Sequence, residues 1–422
     1  MRYTMVFLLF AYVLGSVSNA QKKETLDALI TETLENNPEI AATMHTMMAM
    51  QKRIPQSSSL DDPELDLALM EIPGTNFGQA MYANIGLMQT FRFPTKLATQ
   101  RRIAETLAEH AHHDHMEKVL DVVAQLRKAY AELRYARTAL DINRRNQEYL
   151  KQIVTATTTQ YSVGRATQQE VLKSSIELAK LKAQEDAVRE EATGAESMMR
   201  AILNRPAGSA IGTLDEQPPK PVTTSVEDLL AYALANRPML VHDSLNLYEG
   251  GLQLDLMKQE YLPDFRIGVE YVRMPVLMEN RWTVSAGISL PFAPWSLSKA
   301  SSRVQEADEQ RLSLASTFEA SKQMVEAEIR DDYAKVKAYW SEMNSYEQTV
   351  IPQTAMSLQS LLREYQTNQS TFLMLLDSYR MDQDAHMEAA MARMKFEQAL
   401  ASLERTVGGT EFLSLIIEPK DN

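Results

Sequence analysis

The chain of 422 residues contains no cysteine. Disulfides, thiolate metal sites and thiol nucleophiles are therefore excluded, and so is a lipoprotein anchor, which is attached to an N-terminal cysteine. From Thr95 to Arg205 there is no proline, and the only glycines are Gly164 and Gly194. Such avoidance of helix breakers predicts helices far longer than those of ordinary globules. Beyond the N-terminal segment no run approaches the roughly 18 apolar residues of a membrane-spanning helix. Nucleophile-elbow, phosphate-loop, HExxH and paired-carboxylate motifs are also missing. The chain is accordingly read as a non-enzyme that needs no cofactor. Basic residues are in the minority, 43 against 56 acidic, for a formal charge of −13. That balance argues against nucleic acid as a partner.

What is present begins with Met1–Ala20. One basic residue (Arg2), an apolar core from Met5 to Leu14 and the small-residue exit Ser18-Asn19-Ala20 have the layout of a signal peptide cleaved before Gln21. Export is expected, and loss of Arg2 takes the charge from −13 to −14.

The rest of the chain is written twice. "LITETLENNPEI" from Leu29 returns as "LLAYALANRPML" from Leu229, with Asn36/Asn236 and Pro38/Pro238 in register. Pro63 pairs with Pro263, "IGLMQTF" at Ile85 with "AGISLPF" at Ala286, and "LRKAYAELR" at Leu126 with "IRDDYAKVK" at Ile329. The offset drifts only from 200 to 204. This divides the mature chain into a first repeat (residues 21–205), a Pro- and Gly-bearing connector (206–224), a second repeat (225–407) and a tail (408–422).

Each repeat is expected to hold a helix, two strands, a long helix, a hairpin tip and a return helix. Leu65, Leu67 and Leu69 alternate with Asp66 and Ala68, and Phe265, Ile267 and Val269 with Arg266, Gly268 and Glu270. The partner strands, about Met81–Phe91 and Trp282–Phe292, place Val284, Ala286 and Ile288 on one side and Thr283, Ser285 and Ser289 on the other. Such strands have one apolar and one polar face. They fit a small soluble sheet, or membrane strands of about 9–11 residues. Four strands close no barrel, whereas three chains would supply twelve.

The long helix of the first repeat is expected from Thr95 to about Gln160, roughly 100 Å at 1.5 Å per residue. Val119, Val123, Leu126, Tyr130 and Leu133 step by 4 and 3, as do Ile329, Tyr333, Val336, Trp340 and Met343. These are coiled-coil seams. Gly164 supplies a left-handed residue to end the helix, and Thr167 with Glu170 forms an S/T-x-x-E capping box to start the next. In the second repeat Asn368 takes the place of the glycine, and Ser370 or Thr371 caps the return. The tips fall near residues 162–167 and 366–371.

The repeated "NP" helix, the junctions "MQTFRFPTK" and "SLPFAPW", and the "Y-x-x-G-x-(A/S)-T…VL" hairpin at Tyr161 with its copy at Tyr365 resemble the TolC family of outer-membrane efflux proteins. The junctions are most similar to the heavy-metal efflux branch. The resemblance implies a mainly α fold with a small β part. It implies a homotrimer in which long antiparallel helical hairpins form a periplasmic tunnel and four strands per chain share a twelve-stranded β-barrel. The strand positions Leu65, Leu67, Leu69, Phe265, Ile267, Val269, Val284 and Ile288 would then face outer-membrane lipid. The connector and tail would lie in an equatorial belt. The protein would be a passive exit duct in a Gram-negative outer membrane, served by a periplasmic adaptor and an inner-membrane RND-type pump. The adaptor would dock at Tyr161, Gly164, Arg165, Thr167, Glu170, Tyr365, Asn368, Ser370 and Thr371. In the family segment matched by "STFLMLLDSYR" two acids line the closed end of the tunnel; Asp377 matches the second, and Met374 stands where the first would be. The rival readings are a soluble periplasmic coiled-coil scaffold and a duct for drugs or secreted proteins.

Three Asp377 carboxylates at one axis would raise one another's pKa and favour cations there; otherwise Asp377 is a solvated face residue. "EHAHHDH" places His110, His112, His113 and His115 on one helix, where the pairs His110/His113 and His112/His115 could touch a metal transiently. The alternative is a solvated polar face. Met44, Met47, Met48 and Met50 around His45 offer either thioethers for a soft cation or packing.

Overall fold

The computed structural model describes residues 23–409 except 73, 74, 76, 78, 79, 81, 216, 217, 275–278 and 292. The expected signal peptide, most of the tail, and the turn residues Pro73, Gly74 and Pro275 lie outside the described residues.

Each repeat opens with two helices where one was expected. Helix α1 (Leu26–Asn36) gives way to α2 (Pro38–Ser57), and α5 (Val226–Asn236) to α6 (Pro238–Gln259). The break follows from chemistry at one position: Pro38 and Pro238 have no N–H to continue the preceding helix but suit the first turn of a new one. Asn37 caps α2, its side-chain Oδ1 accepting from the Glu39 and Ile40 amides.

Four strands follow in two pairs: β1 (Glu64–Met70) and β2 (Tyr82–Phe91), β3 (Phe265–Met274) and β4 (Glu279–Ile288). They form one antiparallel sheet in the order β1-β2-β3-β4. Strand β4 lies three to four residues earlier than the expected Trp282–Phe292. Pairing Met274 with Glu279 and Phe265 with Ile288 sets its length by that of β3, a tertiary constraint invisible in the local alternation.

Pro94 and Pro294 start the rods. Helix α3 (Pro94–Ser162) runs 69 residues unbroken, and α4 (Gln168–Ile202) returns beside it. In the second repeat α7 (Pro294–Ser345) passes through a wide π-turn, Tyr346–Val350, into α8 (Ile351–Gln366), and α9 (Phe372–Val407) returns. Pro352 explains the π-turn: it cannot donate to the carbonyl four residues back and crowds it, so the helix widens. The heptad seams are inside. Leu126, Leu133 and Ile329 are fully buried, and Val336 and Met343 nearly so. Helix α3 packs on α2 and α4 within its repeat and on α6 and α9 of the other. The described connector lies along α3, where the Tyr130 hydroxyl donates to the Asp215 carbonyl and Arg137 to the Gly212 carbonyl.

Candidate functional site: the sheet faces, the hairpin tips and the acidic face of helix α9

Residues directly opposite in a ladder point to one face. Leu65 pairs with Leu87, Leu87 with Val269 and Val269 with Val284; Leu67 pairs with Ile85, and Phe265 with Ile288. An apolar face thus runs across all four strands. It is uncovered: Leu67 is 72% exposed and Val284 73%, and Leu65, Leu69, Phe265, Ile267, Val269 and Ile288 are exposed as well. Ile85, Leu87 and Trp282, also exposed on this face, extend the set expected from sequence. The opposite face is polar. Asp66, Gly86, Glu270 and Thr283 form one row across it, and Asn84 donates to Glu270 at 2.6 Å. Among the described residues β1 and β4 each have a neighbour on one side only.

The sheet is clamped to the rods by a residue that sequence reasoning missed. Asp264 Oδ1 accepts from the Phe93 amide and from Lys96 Nζ, both at 2.9 Å, and Ser289 Oγ accepts from the Asp264 amide at 2.7 Å. The "FPTK" junction of the first repeat is therefore held by the "LPDF" strand start of the second. Asp264 directly follows Pro263, which pairs with Pro63 in the repeat, and that adjacency was the available signal.

At the far end both tips have the same backbone. Gly164 (φ 76°) and Asn368 (φ 61°) occupy the left-handed region, and the Gly164 amide donates to the Tyr161 carbonyl as the Asn368 amide does to Tyr365. Thr167 Oγ1 caps α4 through the Glu170 amide, and Thr371 Oγ1 caps α9 through the Met374 amide, each at 3.4 Å. Ser370 instead donates to the Leu361 carbonyl. Tyr161, Gly164, Arg165, Thr167, Asn368 and Thr371 are exposed, as is Val163, which sequence reasoning did not single out.

Two of the expected docking residues are placed differently. Tyr365 is only 6% exposed, and its hydroxyl donates to Glu170 Oε2 at 2.9 Å. Burial, then the Glu170 carboxylate, pushes the Tyr365 hydroxyl well above its usual range. Glu170 does not complete the reciprocal capping box. Its other oxygen accepts from the Thr167 hydroxyl at 3.3 Å, so it ties the first tip to the second. Gln160 Nε2 donates to the Gln366 carbonyl beside this link.

On α9, Leu375, Leu376, Ser378 and Tyr379 are buried, whereas Met374 and Asp377 are exposed. Met381, Asp384 and Glu388 continue the exposed face at helical spacing, so the acids extend well beyond Asp377. Nearby Arg380 pairs with Glu177 of α4.

Of the four clustered histidines, His112 is exposed, His113 and His115 are half-buried, and only His110 leaves the expected polar face. His110 is buried and stands edge to face against His242 of α6, with ring centroids 4.6 Å apart. His113 rests against His112, and His115 Nδ1 meets the Thr43 hydroxyl at 2.9 Å. No group of three or more His, Asp or Glu side chains among the described residues is placed to hold a metal ion. Met44 and Met48 are exposed on α2, while Met50 Sδ accepts from Arg53.

Residues 29–205 match the family described as outer membrane efflux protein. No curated protein matches the chain in sequence. In fold the chain is similar to the outer-membrane channel OprN, with a TM-score of 0.76 and 18% identity over 91% of this chain and 90% of that one. It is likewise similar to the outer membrane protein VceC from Vibrio cholerae, with a TM-score of 0.74 and 15% identity over 91% and 96% of the two chains. CusC, studied for the conformational changes accompanying folding and transmembrane channel formation, gives a TM-score of 0.76 at 13% identity over 91% and 92%. At 91% coverage the likeness extends over both repeats.

Proposed function

We propose that this chain, whose residues 29–205 match the outer membrane efflux protein family and whose fold is similar to that of outer-membrane channels, is the exit duct of a tripartite efflux system. Three copies join β4 of one to β1 of the next and close a twelve-stranded barrel. The helical rods extend into the periplasm toward an adaptor and an RND-type pump. Passage is passive, and metal cations are the cargo. The mature chain begins after Ala20 in the outer membrane of a Gram-negative cell.

One observation carries this reading: a continuous apolar face crosses all four strands and is left exposed by the described residues of the chain. In water such a patch is costly, whereas in lipid it is the expected outer surface of a barrel. The polar row at Asp66 and Glu270 then lines the pore. Cation cargo is supported by that row, by the Asp377–Asp384–Glu388 face of α9 and by the junction motifs.

The test is to express the full chain in a Gram-negative host, extract the outer membrane with detergent and measure the protein mass of the particle by light scattering. A trimer is expected; a soluble monomer or dimer would support the scaffold reading instead. Ile267→Arg should block membrane assembly, at a cost of about 2–4 kcal/mol near the bilayer midplane. Normal assembly of that variant would remove the lipid-facing assignment. The chain has no cysteine, so Asp377→Cys reports cleanly on the axis: crosslinking between subunits is expected if the three positions meet there.

A further inference from the structure

The two repeats meet along α3, which packs on α6 toward the sheet and on α9 toward the tips. Where α9 forms the seam, opposite charges face each other. Arg127 lies 2.7 Å from Glu404, and Arg134 pairs with Glu397. Where α6 forms it, the facing groups are imidazoles. His110 contacts His242, and the Nε2 of His110 is buried without a hydrogen-bond partner, with Glu249 Oε2 at 3.7 Å. The same position in the seam therefore holds complementary charge at one end and two titratable bases at the other.

We propose that His110, buried edge to face on His242, is an acid-sensitive latch between the repeats: its neutral imidazole lets α3 and α6 close, and its protonation opens this part of the seam. A charged His110 ring would bury an Nε2–H that has no hydrogen-bond acceptor within reach, which is costly. A neutral pair keeps the contact, because one ring edge meets the other ring face.

The surrounding charges limit the effect without cancelling it. On α3, Asp114 lies 3.4 Å from His242 Nε2, and Glu109 and His113 stand nearby. On α6, Asp243 approaches His242 Nδ1 at 3.4 Å, and Glu249 faces His110. From α2 comes the Thr43 hydroxyl on His115, and Glu39 is taken by Lys118. From α7, Arg311 lies beside Gly250 of α6, its guanidinium paired with Asp308. Asp114 is largely exposed, so solvent screens it. Burial first, then His242, lowers the pKa of His110; burial first, then His112, lowers those of His113 and His115.

The sign follows. The closed seam binds fewer protons than the opened one, so its stability is complete above the ordinary histidine value of about 6.5 and is lost as pH falls below it. One histidine kept neutral at pH 5.5 favours the open form by up to about tenfold.

Hydrogen exchange on the purified full chain, corrected for the intrinsic pH dependence of amide exchange, reads this directly. Amides of α3 around His110 and of α6 around His242 should become up to about tenfold less protected at pH 5.5 than at pH 7.5. His110→Gln should remove most of that change and His242→Gln part of it, while His45→Gln, an exposed residue on α2, should leave it intact. An unchanged acid response in both seam variants, or none in the parent chain, would overturn the latch. If His110→Gln fails to fold, the partly exposed His242 supplies the deciding variant.

Discussion

The two repeats stop their helices at equivalent places with exchanged residues. The first ends its rod with Gly164 and its return helix with Asn204; the second uses Asn368 and Gly408. All four have positive φ, between 53° and 98°. Glycine and asparagine are the residues that tolerate this region best, so the backbone is common and the side chain is free to differ. The difference is then used locally. Asn204 Nδ2 donates to the Asn36 carbonyl, whereas Gly408 lets α9 end directly against Arg237, where an added Cβ would lie 2.9 Å from the Arg237 Cα.

The tips diverge in the same way. Tyr161 is 48% exposed, yet its counterpart Tyr365 is buried. Glu170 stands at the position of Met374 in the other copy, and it is Glu170 that receives the Tyr365 hydroxyl. A duplicated scaffold thus carries two chemically distinct ends: one offers side chains outward, the other supplies the internal link.

If the repeats share the mechanical load equally, Leu126→Ala and Ile329→Ala should each cost about 2–5 kcal/mol, because both sides of the comparison are fully buried. Denaturant unfolding checks this, and a large cost in one repeat alone would break the equivalence. The helix ends should separate next. Gly408→Ala is expected to lose about 2–3 kcal/mol from positive φ and the close approach to Arg237, against about 1–2 kcal/mol for Asn204→Ala, which has the strain and the loss of an exposed hydrogen bond to Asn36 but no close approach. Equal losses would mean that the Arg237 contact relaxes freely. The smallest contrast is at the tips. Tyr365→Phe should cost about 1–2 kcal/mol, since it leaves a part-buried carboxylate without its donor, while Tyr161→Phe should change stability by less than about 0.5 kcal/mol. The same thermal melts at the two tips measure both.

Much of the fold could be read from particular residues. Pro94 after a strand, an unbroken run to Gly164, and Thr167 three residues on from it leave little choice but a long helix, a tight turn and a return. These signals act within a few residues, where sterics and one hydrogen bond decide. The π-turn was less legible because Pro352 announces a disturbance without stating its form. Asp264 and His242 were missed for another reason. Their partners, Lys96 and His110, lie well over a hundred residues away and in the other repeat.

The sequence by itself therefore determined the period, the duplication, the apolar stripe of each strand and the places where helices stop, because each depends on local backbone geometry or on side-chain alternation. Only the tertiary structure decided which stripes are covered and which are bare. It also decided that Tyr365 turns inward to Glu170, and that His110 meets His242 and not its neighbours on the same helix. Those outcomes depend on what the opposite repeat brings to the seam, and packing across a seam is not written in either half alone.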